Sequence, residues 1–133
     1  MKQILASALA PKAVGPYCQA QMMNGVVYLS GQLPINPEAG TMPDTIEEQT
    51  RQSLTNVANI LREANMTLMD VMKTTVLLSD IKDFAAMNQV YAEIWQQAAQ
   101  QEGKPVVYPA RICYQVAALP MGAKVEIDCI AGI

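Results

Sequence analysis

Arg111 is the side chain around which the chemistry of this sequence can be organised. It follows Pro109 and Ala110 in a mostly apolar stretch. A guanidinium stays charged at physiological pH and offers a planar fork of N–H groups that matches a carboxylate. In apolar surroundings it has two candidate partners: the carboxylate of a ligand, or an acid of the protein itself, with Glu126 the first choice. Glu126 stands between Val125 and Ile127. It could hold or activate a water as general base, or be an exposed strand residue. Asn88 lies four residues after Phe84 and three before Tyr91, on one helical stripe. A buried amide needs partners, so Asn88 either bonds nearby backbone or frames a pocket. Ser30–Gly31 follows Val26, Val27, Tyr28 and Leu29. Glycine there lets a ligand or another chain approach the backbone, and an ordinary strand end has the same pattern. Cys113 is a nucleophile only if Arg111 or backbone dipoles lower its pKa; otherwise it is a core or pocket-lining thiol. Lys73 is a Schiff-base candidate or a lysine facing solvent or an interface carboxylate. Tyr17, entered from the turn Gly15–Pro16, either closes over a pocket or packs as a strand aromatic.

Several chemistries are excluded outright. The chain has no histidine, which removes His-based metal sites, Ser-His-Asp triads and Cys-His dyads. Its three cysteines, Cys18, Cys113 and Cys129, form no Cys-x-x-Cys pair. An odd, sparse set reads as reduced thiols, not a disulfide framework. Reaction chemistry must therefore use arginine, carboxylates, hydroxyls, thiols or backbone groups.

The elements that would position these residues follow from periodicity. Leu54, Val57, Ala58 and Leu61 share one helical face. Thr45 and Glu48 have capping-box spacing, and Asn65 can take the left-handed conformation that ends a helix. A second helix carries Phe84, Met87, Tyr91, Ile94, Trp95 and Ala98 on one stripe, with Asp80 or Asp83 as its cap. Strands are expected over Tyr17–Met22, Val26–Gln32, Val71–Leu78, Val106–Val116 and Val125–Ala131. Asn24–Gly25 is a strong two-residue hairpin signal between the first two. The order β-β-α-β-α-β-β gives an α+β fold, a mixed sheet with two helices on one face. Alternation along the last two strands predicts that Tyr108, Ala110, Ile112, Tyr114 and Val116 cover the helices. Arg111, Cys113 and Glu126 would then gather on the opposite face.

Bulk properties set the class. A chain of 133 residues, 51% of them apolar, fits one domain spanning 1–133. Only 16% of residues are charged, against about 25% in average soluble chains. That shortage points to surface buried against another subunit, or to a core rich in alanine and methionine. The net charge of −3 and a pI near 4.8 come without any basic stripe, so nucleic acid and anionic membranes are not expected partners. No apolar run spans a bilayer, and Met1–Pro16 lacks a signal-peptide pattern, which makes the cytoplasm the expected location.

The motifs together carry a family resemblance. Gly15-Pro16-Tyr17-Cys18-Gln19-Ala20 resembles the opening motif of the Rid family, the reactive intermediate deaminases also called the YjgF family. Ser30-Gly31-Gln32-Leu33-Pro34 is similar to its second motif, and Gln49 and Asn56 stand where its first helix carries Gln and Asn. Lys73-Thr74-Thr75-Val76 and Asn88-Gln89-Val90-Tyr91 resemble its middle segments. Pro109-Ala110-Arg111 and Val125-Glu126-Ile127 resemble its closing signature. The resemblance implies a chorismate-mutase-like homotrimer with clefts between subunits. It implies hydrolysis of 2-iminopropanoate and 2-iminobutanoate, reactive products of pyridoxal-phosphate enzymes, to 2-oxo acids and ammonia. A non-catalytic module that binds 2-oxo acids is the alternative. By the same resemblance Arg111 salt-bridges the substrate carboxylate and Glu126 positions water. Tyr17, Ser30, Gly31, Asn88 and Cys113 match cleft-lining positions, and no cofactor or metal is implied. Two departures stand out: Gln96–Tyr108 is longer than in typical members, next to the Arg111 strand, and Cys18 replaces a common serine.

Overall fold

The computed structural model describes the whole chain, Met1–Ile133. Its local signals are honoured where the sequence is most explicit. Asn24–Gly25 joins β2 (Ala20–Met23) to β3 (Val26–Gln32). Both turn residues take positive φ, 53° and 76°, the backbone that matches strand twist and that Asn and Gly tolerate. Helix α1 (Ile46–Leu61) starts at Thr45, whose hydroxyl accepts from the Glu48 N–H at 3.2 Å. It runs out through one tight turn to Asn65, which is left-handed at φ 57°. Helix α2 (Phe84–Gln101) buries Met87, Val90, Tyr91, Trp95 and Ala99. The stripe is thus turned slightly from the expected one: Ile94 and Ala98 pack at its margin, and Phe84 stays partly exposed. Asp80, not Asp83, provides a side-chain cap, to the turn ahead of α2.

The remaining strands are β4 (Val71–Leu78), β5 (Ala110–Gln115) and β6 (Val125–Gly132). A further strand, β1 (Gln3–Leu5), precedes the expected set and pairs antiparallel with β2. The six strands lie in the order β1-β2-β3-β6-β4-β5. Only β4 and β5 are parallel, bridged by α2 as a crossover. Two strands are shorter than expected. The β2 ladder begins at Ala20 instead of Tyr17, and β5 at Ala110 instead of Val106. Pro105 and Pro109 have no N–H to give a ladder, which keeps the approach to β5 out of the sheet.

The core lies between one face of the sheet and the two helices. Val27, Leu29, Val76, Leu78, Val125, Ile127, Cys129 and Ala131 point into it, against Leu54, Val57, Ile60, Leu61, Met87 and Trp95. The other face carries no element of the chain. There Tyr28, Ile112 and Tyr114 are 58%, 48% and 50% exposed. This α+β, two-layer architecture is the expected one, but the facing of β5 is reversed. Ile112 and Tyr114 lie on the open face, whereas Arg111 bonds α2 and Cys113 packs on the core. No helix is long and apolar enough to cross a membrane.

Candidate active site

Two clusters of functional side chains result, one on each side of the sheet. The first is built by β5 and α2. Arg111 is paired with Thr74 in the parallel ladder and reaches α2. Its Nη1 donates to Asn88 Oδ1 at 2.7 Å, and its guanidinium stands over the rings of Tyr91, 4.8 Å from the centroid, and Phe84, 5.6 Å away. The two salt bridges of the chain, Arg51–Glu93 and Lys104–Glu102, do not involve it. Asn88 thus serves as acceptor for the fork and keeps its amide N–H groups available. Beside them opens a cavity of ≈ 400 Å³ lined by Asn88, Tyr91, Ala92, Tyr108, Pro109 and Arg111. The long segment after Gln96 forms one wall: α2 extends to Gln101, and Gln96 Nε2 then holds the Tyr108 hydroxyl at 3.0 Å.

The second cluster is built by β3, β6 and the segment entering β2. Tyr17, Ser30, Gly31 and Glu126 line a cleft of ≈ 570 Å³ together with Lys12 and Met121. The β3–β6 register slips between Leu29 and Gln32, so Ser30 and Gly31 sit at a bulge, the device that redirects side chains at functional edges. Ser30 is pinned there: its N–H donates to Gln19 O and its hydroxyl to Cys18 O at 2.7 Å. Gly31 serves Glu126 directly. A Cβ on it would lie 2.8 Å from Glu126 Oε2 and 3.0 Å from Cδ. Its φ is ordinary, so clearance for the carboxylate, not backbone freedom, is what requires glycine.

The electrostatics differ between the two. Burial pushes the Glu126 carboxyl above its usual range, and the Asp128 carboxylate two residues along the same face pushes it the same way. A base shifted toward neutrality is a better partner for water chemistry. Burial also raises the Cys113 thiol, against a smaller downward pull from Arg111, and the side chain packs against the core, which favours the pocket-lining reading over the nucleophile. Cys129 in the core is pushed up to about 12 by burial, with Asp128 adding to it. Lys73 is exposed on β4, in keeping with a lysine that faces solvent or an interface carboxylate.

One expectation fails at this level. Arg111 and Cys113 do not share a face with Glu126 within the chain. Along β6 Glu126 alternates with the core residues Val125 and Ile127, while Arg111 and Cys113 are turned toward the helix layer. The internal Arg111–Glu126 salt bridge is excluded for the same reason. From sequence alone Tyr91 and Phe84 read as aromatics of the helix's apolar stripe; the structure shows that they flank the guanidinium. The four-residue and seven-residue spacings of Phe84, Asn88, Tyr91 and Trp95 were the available signal.

Residues 7–133 match a family model described as endoribonuclease L-PSP. A goat (Capra hircus) protein named 2-iminobutanoate/2-iminopropanoate deaminase is 43% identical over 132 residues, covering 98% of this chain and 90% of the relative. The crystal structure of Escherichia coli TdcF with bound serine superposes with a TM-score of 0.88 at 38% identity, covering 98% of each chain. A Yersinia pestis structure, described as a conserved Rid-family protein of unknown function, gives a TM-score of 0.90 at 40% identity over the full length of both.

Proposed function

Because the chain belongs to the endoribonuclease L-PSP family, the Rid or YjgF family of its motifs, we propose that it is a 2-iminobutanoate/2-iminopropanoate deaminase. The single observation that carries the reading is Arg111: a fixed guanidinium, on the wall of a cavity, with no carboxylate of its own chain to neutralise it. A 2-imino acid supplies that carboxylate. The related TdcF structure, which holds serine, a small molecule with an α-carboxylate, supports this ligand chemistry.

The reaction asks little of the protein. Water adds to the C=N carbon, the tetrahedral carbinolamine collapses, and ammonia leaves a 2-oxo acid behind. Arg111 grips the carboxylate and fixes the imine carbon. Glu126 takes a proton from the attacking water and returns one to the departing nitrogen, a role its raised pKa favours. Ser30, Gly31 and Tyr17 shape the cleft around that water. Bringing substrate and water together removes most of the entropic barrier, and no metal or cofactor is called on.

Arg111 and Glu126 on opposite faces of one sheet cannot act on one molecule, so the active unit is an oligomer, for which we infer a homotrimer. Each site then combines Arg111, Asn88 and Cys113 of one subunit with Tyr17, Ser30, Gly31 and Glu126 of the next. The exposed apolar side chains Tyr28, Ile112 and Tyr114 on the open face support this, since exposed apolar surface marks an interface. The low charged fraction, 16%, is in keeping with such an interface. The acidic pI and lack of a basic stripe favour a small-molecule substrate over RNA, despite the family's descriptive name. We infer the cytoplasm as its compartment, in keeping with three unpaired thiols.

The test follows the decay of 2-iminobutanoate, generated in place by a threonine dehydratase, with and without the protein. Wild type accelerates decay to 2-oxobutanoate. Arg111→Ala loses that acceleration while sedimenting at the same multiple of 14.5 kDa. Full activity in Arg111→Ala, or no acceleration by wild type, overturns the reading; in the latter case saturable 2-oxobutanoate binding would identify a binding module instead.

A further inference from the structure

Arg111 is held on two sides by its own chain. Asn88 fixes one edge of the fork at 2.7 Å, and the Tyr91 ring lies beneath its Cζ, 4.8 Å to the centroid. Tyr91 is itself immobilised. It is 4% exposed, it stacks on Trp95 with centroids 4.5 Å apart and planes 25° from parallel, and its hydroxyl lies 2.7 Å from Thr74 Oγ1. Thr74 is buried on β4 and is the ladder partner of Arg111. Sheet and helix thus close a loop of contacts: β5 carries the arginine, β4 anchors the phenol, and α2 supplies the ring beneath the charge.

A cation over an aromatic face is held by the ring's quadrupole, more strongly where water is excluded. A long, flexible side chain held this way loses less entropy when a carboxylate arrives. We propose that Tyr91 is a positioning residue: its ring, anchored by Thr74 and Trp95, holds the Arg111 guanidinium in its binding orientation before the ligand enters. Tyr91 does not touch the reacting atoms; it acts through Arg111. The proposal rests on the reading of Arg111 as the carboxylate fork. A preset fork improves capture of the carboxylate, common to substrate and transition state, so its loss appears in KM and not in kcat.

The experiment compares wild type, Tyr91→Phe and Tyr91→Leu for kcat and KM in imine decay, and for the Kd of 2-oxobutanoate by calorimetry. Tyr91→Leu raises KM and Kd roughly tenfold, equal to about 1.4 kcal/mol, with kcat within about twofold. Tyr91→Phe keeps the ring face and restores both to within about threefold of wild type. A merely structural tyrosine would lower melting temperature and active fraction without this split. Ligand-free wild type gives an independent readout by NMR. The Nε–Hε signal of Arg111, assigned by its disappearance in Arg111→Lys, is expected to be shifted upfield by the ring and as ordered as the backbone. This readout decides the matter if Tyr91→Leu does not fold. Equal KM in the Phe and Leu variants, or an Arg111 signal as mobile as that of the surface residue Arg62, overturns the proposal. Failure of the deaminase reading is distinguishable: wild type would leave imine decay unchanged while the Arg111 signal remained ordered.

Discussion

Gly31→Ala perturbs the proposed water-activating group without touching the carboxylate fork. The added Cβ would meet Glu126 Oε2 at 2.8 Å, Cδ at 3.0 Å and Cγ at 3.2 Å, where ordinary contacts begin at 3.4 Å. The carboxylate oxygen must therefore retreat by about 0.6 Å. The displaced atoms are the end of a flexible side chain bordering an open cleft, so the fold accommodates them. Gly31 has no left-handed φ, and alanine adds no backbone strain. Catalysis is less forgiving, because misplacing a reacting group by about 1 Å can cost about a hundredfold in rate. We expect kcat for 2-iminobutanoate to fall by roughly 10- to 100-fold. KM should change little, since Arg111 lies in the other cluster, and melting temperature should stay within a few degrees of wild type. Steady-state imine decay with a parallel thermal melt measures all three. Undiminished kcat with an intact fold would refute the idea that Gly31 exists to seat Glu126.

Two further outcomes follow from buried polar groups. Glu126 is held above its ordinary pKa by burial and then by Asp128, so its ionised form opposes folding. The relative stability it confers is full below its unfolded pKa and lost as pH rises through the higher folded pKa. Glu126→Gln should thus melt above wild type at pH 7, with the gap closing below about pH 4; an unchanged gap across that range would contradict the assignment. Asn56, fully buried, donates to Leu33 O and Ile35 O at 3.1 and 3.0 Å. Asn56→Ala leaves both carbonyls without that donor and should cost about 2–3 kcal/mol, a fall of roughly 6–12 °C in Tm for a chain of this size. A melt unchanged within error would show that water or a side chain replaces the amide.

How much of this was legible in the sequence depends on whether the determining contact was local. The Asn24–Gly25 turn, the Thr45 cap and the Asn65 stop are set by short-range backbone chemistry, and each was read from residue type and spacing. The strands β3 and β4 were found at their observed bounds because β-branched runs mark them. The three-residue β1 gives too little pattern to be seen. The facing of β5 departs from the alternation's prediction for a physical reason. Alternation identifies two sets of side chains, and the rule that the more apolar set goes inward assumes one chain is the folding unit. Here Ile112 and Tyr114 lie exposed on the open face, and the arginine is accommodated inward by Asn88 and Tyr91. The family residues Gln19, Gln49 and Asn56 proved to be loop anchors: Gln19 bonds Ser7 and Pro11, Gln49 bonds Pro43 and Lys124. Such long-range pairings are invisible to periodicity.

The central claim is that a guanidinium and a carboxylate from different subunits share one substrate, and subunit mixing tests it most directly. Arg111→Ala and Glu126→Ala are each expected to be inactive alone. Refolded together in equal amounts, they place an intact Arg111 against an intact Glu126 at about one interface in four of a closed ring. The account predicts recovery of about a quarter of wild-type activity. A mixture as inactive as its components, in proteins shown to exchange subunits, would contradict it.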